Sequence, residues 1–352
     1  MSPGATLGVI VPCRNEAAVI ERKIGSLALA HWPEAARAQR LVVVDDGSLD
    51  ETPKMAREAC ERLFDPRSIR AVVVSNAVRP GKAGAILTGL RELARDGAPD
   101  LVVLTDADVV CEPEALIELA LAFERDPRLG LACAAQRFVE DLAHDGTCRA
   151  ADLGEPRSAG GLYDAWTARV RALESRTGAL FSVHGQLCAW RASLGLAPSE
   201  GIAADDLDLM LQARCAGMHV ARVERARFLE VKTPPGARRD EQALRRARAY
   251  VQFLGHPRMA ELAECGGALR RAQVWAYRRL PTAAPWLAPS GAAAALLAAY
   301  ALGGPRVAAP AALALAALAL SPAGRRFARL CSTIAGASRC EPLGERWETV
   351  RR

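Results

Sequence analysis

Residues 101–116 read LVVLTDADVVCEPEAL, and the layout of the chain follows from this stretch. Leu101–Leu104 is a short, wholly apolar, largely β-branched run, as expected of a strand covered on both faces. It gives way at once to Thr105-Asp106-Ala107-Asp108, and a helical pattern follows over about 113–125. The same succession recurs on either side. Apolar runs at Leu7–Val11, Leu41–Val44, Ala71–Val74 and Leu129–Ala135 predict strands. Helical patterns near 17–30, 52–63 and 82–95 fill the gaps, and residues 206–217 (DLDLMLQARCAG) predict a helix ending at Gly217. Alternation of this kind predicts an α/β fold, a mostly parallel Rossmann-like sheet with helices on both faces.

At 352 residues the chain is long for one domain, so two modules or one large domain with an appendage are expected. Hydrophobic residues make up 51%, enough for a full core, and aromatics only 5%, so that core rests on Val, Leu, Ile and Ala. A net charge of +6, with Arg clustered from Arg222 onward, suggests a local basic surface and no nucleic-acid partner. The ten cysteines have irregular spacings without a Cys-x-x-Cys pair, which predicts buried reduced thiols and a reducing compartment. The opening MSPGATLGVIVPC lacks the basic-then-apolar order of a cleavable signal peptide.

In an open parallel sheet, ligands bind outside the carboxyl ends of the strands. Polar clusters follow four predicted strands: Pro12-Cys13-Arg14-Asn15-Glu16, Asp45-Asp46-Gly47-Ser48, Ser75-Asn76 and Thr105-Asp106-Ala107-Asp108. Any one of them is also ordinary turn or capping chemistry; four on one edge point to a site. Asp106 and Asp108, two apart on extended chain, point the same way. At about 6 Å and an effective dielectric near 20 they repel by about 3 kcal/mol, a cost a divalent cation offsets. Oxygen ligands with open positions suit Mg²⁺ or Mn²⁺ bridging to phosphate. Arg79-Pro80-Gly81-Lys82-Ala83-Gly84 opens a helix whose free N–H groups and lysine suit a phosphate, although the spacing is not that of a Walker loop. Asp205-Asp206 starts another helix and reads either as a cap or as a carboxylate base.

Together these motifs resemble the family 2 glycosyltransferases of the glycosyltransferase A fold, over about residues 7–250. VIVPCRNEAAVI resembles the family's opening strand and turn, VVVDDGSLDET its Asp-Asp-Gly-Ser signature, and RPGKAGAILTGL its Gly-Lys helix start. TDADVVCEPEAL resembles the metal motif, while GQLCAWRASL and IAADDLDLMLQARCAGMHV resemble the acceptor-side block. The resemblance implies transfer of a sugar, with inversion and a metal's assistance, from a nucleoside-diphosphate-sugar donor to a hydroxyl acceptor. It implies that Pro12, Arg14, Glu16 and Asp45 lie near the nucleoside, with Asp46 on the ribose–phosphate side. Lys82 and Asp106 would flank the donor, Asp108 with Asp106 would hold Mg²⁺ or Mn²⁺, and Asp206 beside Asp205 would be the catalytic base.

The C-terminal third suggests a membrane. Residues 237–280 mix Arg with apolar residues, as amphipathic interfacial helices do, and residues 281–324 carry a single charge, Arg306. Trp286–Gly303, about 27 Å long if helical, barely crosses a bilayer core of about 30 Å. With Val307–Leu320 it predicts a helical hairpin turning at Gly-Gly-Pro-Arg, followed by a basic tail over 325–352. Basic flanks on both sides would put the catalytic domain, residues 1–236, on the cytoplasmic side, and a bacterial inner membrane is the expected location. Gln242-Ala243-Leu244-Arg245-Arg246 keeps the Gln and first Arg of the processive synthases' Gln-x-x-Arg-Trp motif but lacks its Trp. One sugar or a few, passed to a lipid-linked or glycan acceptor, is therefore expected ahead of chain extension, with Gln242, Arg245 and Arg246 meeting donor or acceptor phosphate. Two other classes compete. A nucleotidyltransferase normally has a glycine-rich loop after its first strand, which VPCRNEA lacks. A non-catalytic membrane scaffold would have no use for the acids at 106, 108 and 206.

Overall fold

Leu7–Cys13 form β1, every residue of it buried, with Pro12 lying beyond Ile10, the last residue paired to β4 (Leu101–Thr105), so no ladder bond is lost there. The computed structural model describes residues 4–34, 39–139, 142, 161–231, 237–265 and 267–339. After β1 come α1 (Ile20–Ala28), β2 (Gln39–Asp45), α2 (Thr52–Leu63), β3 (Ile69–Ser75) and α3 (Lys82–Ala94). Beyond β4 lie β5 (Val110–Cys111), α4 (Ala115–Arg125), β6 (Leu129–Val139), α5 (Gly161–Arg176), β7 (Leu187–Arg191), α6 (Asp205–Cys215) and β8 (His219–Val231). The eight strands make one sheet in the order β3-β2-β1-β4-β7-β6-β8-β5.

The two faces of β1 show why helices cover both sides. Val9 and Val11 join a cluster with Ile20, Ile24 and Leu27 of α1 and Ala56 and Ala59 of α2. Gly8 and Ile10, on the other face, meet Leu93 and Gly89 of α3. The predicted parallel strands are all present, and β1 pairs parallel with β2 and β4, as β2 does with β3. The sheet is mostly parallel with antiparallel strands inserted. β7 lies between β4 and β6, antiparallel to both, and β5 is antiparallel to β8. The segment 139–161, whose polar, glycine- and proline-dotted composition predicts a loop, falls almost entirely outside the described residues. Five of the cysteines, 13, 60, 111, 133 and 188, are buried thiols, whereas Cys265 is exposed.

The chain divides into two compact units, one built on 1–159 and 164–233, the other on 234–343. The second holds α7 (Ala237–Leu254), α8 (Pro257–Glu264), α9 (Ala268–Gly303), α10 (Pro305–Leu320) and α11 (Pro322–Arg339). α9 runs unbroken through residue 281 despite three internal prolines and turns at Gly304 into α10, against which it packs. α11, which covers the start of the basic segment, packs on α7 and α9. Pro285–Gly303 is the one stretch among the described residues long and apolar enough to cross a membrane, and none of it is buried.

Candidate active site

The parallel pairing of β1, β2, β3 and β4 brings their carboxyl ends to one edge, and backbone bonds weld the first loops together. Asp46 N donates to Cys13 O at 2.9 Å, and Asn76 N donates to Asp45 O at 2.8 Å. Asn15, in the left-handed region at φ 54°, donates from its N–H to Ser48 Oγ at 2.9 Å. Its Oδ1 accepts from Leu49 N at 2.8 Å, and Glu16 N donates to Thr52 Oγ1 at 2.8 Å. Asp45, buried, accepts from Ser48 N at 3.2 Å. The β1 and β2 turns are thus one piece, with Pro12 buried beneath and Arg14 and Glu16 half-buried on it.

Asp46 links this piece to the loop before α3. Its Oδ2 accepts from Gly81 N at 2.8 Å, its Oδ1 from Asn76 Nδ2, and Arg14 Nη1 stands 3.6 Å away. Asn76 Nδ2 also reaches Arg79 O at 2.6 Å. The loop closes tightly on α3, because a Cβ at Gly84 would stand 1.8 Å from Arg79 O. No side chain fits there without moving backbone.

Lys82, the first residue of α3, points to the acids. Its Nζ lies 2.7 Å from Asp106 Oδ1 and 3.5 Å from Asp205 Oδ2. Both oxygens are buried and take no well-aligned hydrogen bond, so these contacts are ion pairs. Burial opposes the lysine's charge, but Asp106 and Asp205 outweigh it and hold the pKa above its usual value. Asp206 sits beside them. Loss of water, then the charge of Asp205, pushes its carboxyl up to about 6, with Lys82 pulling the other way. Room for Asp206 comes from Gly185, where a Cβ would lie 2.8 Å from the Asp206 Cβ. The next residue, Gln186, accepts Asp106 N at its carbonyl at 3.1 Å, so β7 and the turn after β4 are joined at the acids.

The structure therefore puts Lys82 in direct contact with Asp106 and Asp205, with Asp206 close enough to feel their charges, Asp46 bonded to Gly81 next to Lys82, Asp45 adjoining, and half-buried Asp108 on the same turn as Asp106. Gln242, Arg245 and Arg246 lie on α7 of the second unit; Arg245 is half-buried and Arg246 exposed, and the Gln242 side chain is outside the described residues. Sequence reasoning placed Asn76 in a rim cluster and Gly185-Gln186 in the acceptor-side stretch but gave none of them a part, because their parts depend on contacts between distant segments.

Among the described residues no three His, Cys, Asp or Glu side chains are disposed to hold a metal by themselves. The donor set still fits a hard cation. Three carboxylates act on one ammonium, Asp108 is two residues from Asp106, and every donor is oxygen.

An acid-rimmed mixed sheet of this order is that of the glycosyltransferase A fold. The chain belongs to Glycosyl transferase family 2, whose profile matches residues 8–183, half its length. Its structure is similar to that of mannosyltransferase PcManGT from Pyrobaculum calidifontis in complex with GDP-Man and Mn²⁺. That likeness has a TM-score of 0.67 and 27% identity, and covers 95% of this chain and 86% of the other. It is also 32% identical over 113 residues to the undecaprenyl-phosphate 4-deoxy-4-formamido-L-arabinose transferase of Pseudomonas aeruginosa. That match spans 32% of this chain and 31% of the relative.

Proposed function

We propose that this chain transfers a sugar, with inversion and a divalent metal's assistance, from a nucleoside-diphosphate donor to a hydroxyl of a lipid-linked acceptor at a membrane surface. The observation that carries the reading is the ion-paired rim in which Lys82 stands between Asp106 and Asp205, with Asp206 alongside. The likeness to a mannosyltransferase holding GDP-Man and Mn²⁺ supports the donor class and the metal. The undecaprenyl-phosphate relative supports the lipid.

In this reading Asp106 and Asp108 would hold Mg²⁺ or Mn²⁺. Such an ion neutralises the charge gathering on a diphosphate leaving group. The chain's own residues do the rest. Asp45, Pro12, Arg14 and Glu16 bind the nucleoside, and Asp46 holds the loop that meets the ribose–phosphate side. Lys82 steadies the diphosphate. Asp206, kept short of water beside Asp205, takes the proton from the attacking hydroxyl. Displacement is direct, so no covalent enzyme intermediate forms.

Residues 1–236 then serve as the catalytic part, 237–280 as an interfacial part, 281–324 as a membrane hairpin and 325–352 as a cytoplasmic basic segment. Gln242, Arg245 and Arg246 are assigned to lipid phosphate. A second reading is favoured by the name of the Pseudomonas relative: the nucleophile is the lipid phosphate itself, already ionised and in no need of a base. One assay separates them. Donor sugars carrying GDP or UDP are incubated with Mn²⁺ and a membrane lipid extract, and nucleoside diphosphate release and product configuration are measured. Release with an inverted product is expected. Retained configuration, or release of pyrophosphate, contradicts the proposal, and full activity of Asp206→Asn selects the lipid-phosphate reading.

A further inference from the structure

Lys23 of α1 is fully buried and takes no part in the ion pairs of the acid rim. Lysine is almost never buried unless it is paired, because its charge is expensive to remove from water. Ile20, Ile24 and Leu27 of the same helix fill the core without that cost. What the lysine adds is three donors, all aimed at one turn. Nζ donates to Thr105 Oγ1 at 2.6 Å, to Val109 O at 3.2 Å and to Cys111 Sγ at 3.4 Å.

These three partners are neutral and bracket the two acids. Thr105 immediately precedes Asp106, and Val109 immediately follows Asp108. The bonding continues beyond them. Thr105 Oγ1 donates to Gln186 O at 2.9 Å, the same carbonyl that accepts Asp106 N. One turn along α1, Ser26 Oγ accepts from Cys111 N at 3.4 Å and donates to Lys23 O at 2.8 Å. A chain of hydrogen bonds around an ammonium strengthens each member and over-determines the backbone it holds.

We propose that Lys23 is a positioning residue for the metal: its ammonium clamps both ends of the 105–111 turn, and so sets the spacing and aim of the Asp106 and Asp108 carboxylates. This inference rests on the metal-assisted reading above. Its sign is decisive, because a positive charge by itself repels a cation. If charge governed, replacing Lys23 by a neutral residue would tighten metal binding; if positioning governs, binding weakens.

The test measures Mn²⁺ bound by the full-length protein, from the electron paramagnetic resonance signal of free Mn²⁺, in the presence of GDP or UDP. Lys23→Met removes the clamp and the charge, whereas Thr105→Val breaks the clamp and leaves the charge. Loss of a group that orients metal ligands costs about 10–100-fold in metal affinity, and a weakening in that range is expected for Lys23→Met. Thr105→Val is expected to weaken Mn²⁺ binding in the same direction by roughly threefold or more, since one of three clamp bonds is lost. Nucleotide affinity without metal stays within about twofold of wild type in both, because no nucleotide contact is removed. Unchanged or tighter Mn²⁺ binding in either variant overturns the proposal, as does an equal loss of metal-free nucleotide binding, the sign of a merely structural role. Thr105→Val decides the matter if Lys23→Met does not fold. Wild-type protein that binds no Mn²⁺ with either nucleotide would instead remove the metal reading underneath.

Discussion

The Asp206 carboxyl stands beside Asp205 with little water, and its pKa of about 6 lies where a base is useful. A base must be deprotonated, so kcat/KM is expected to fall as pH drops through about 6, roughly tenfold per unit well below it; a flat profile down to pH 5 counts against Asp206. The linkage to stability runs the other way. The folded pKa is above the unfolded value of about 3.9, so the fold favours the neutral acid. The penalty is absent below pH 4, grows from 4 to 6 and is complete above 6. Asp206→Asn, which is neutral at every pH, is therefore expected to lose transfer, keep donor affinity and melt a few degrees higher at pH 7.5, as checked by assay, calorimetry and scanning calorimetry. At this scale the acids were legible because acidic residues stood directly after apolar runs. Asp46 was legible as a site residue but not as the group that holds Gly81 and Asn76. Lys23 carried no signal, since an isolated lysine on an amphipathic helix ordinarily faces water.

The loop from Arg79 to Gly84 and the helix it opens form the element on which the proposed donor side depends. Asp46 and Asn76 hold it from the β2 and β3 ends, and Gly84 lets the helix come down on Arg79 O. Gly84→Ala should therefore push the loop away from the rim. Alanine favours helix by about 1 kcal/mol over glycine, so the melting temperature is expected to change little while the donor Kd rises about tenfold; calorimetric titration measures this, and unchanged donor affinity contradicts the loop's role. Strand and helix positions were readable because continuous apolar runs and 3.6-residue patterns alternate cleanly from residue 7 onward. The place of β7 was not readable. Leu187–Arg191 is short and apolar whichever way it runs, and its antiparallel insertion between β4 and β6 is decided by pairing across the sheet.

On the scale of the whole molecule, Pro285–Gly303 and α10 expose Trp286, Leu287, Leu297, Leu302, Leu313 and Leu318, an apolar surface with no cover among the described residues. Water is a poor solvent for such a surface. Full-length protein is expected to sediment with membranes after detergent-free lysis, and the double substitution Leu297→Asp, Leu313→Asp to release a large part of it. Wild-type protein found in the supernatant contradicts the membrane assignment. This layout was legible because charge is nearly absent over 281–324, whereas the continuity of α9 across its three prolines was not. The catalytic claim stands apart from the hairpin and rests on the rim acids gripping a cation together with the donor's diphosphate. Titration of GDP and UDP into wild type and Asp108→Ala, each with and without Mn²⁺, tests it most directly. The account predicts that Mn²⁺ tightens binding of one nucleotide by about tenfold or more in wild type and that this gain vanishes in Asp108→Ala. An equal gain in both proteins would contradict it.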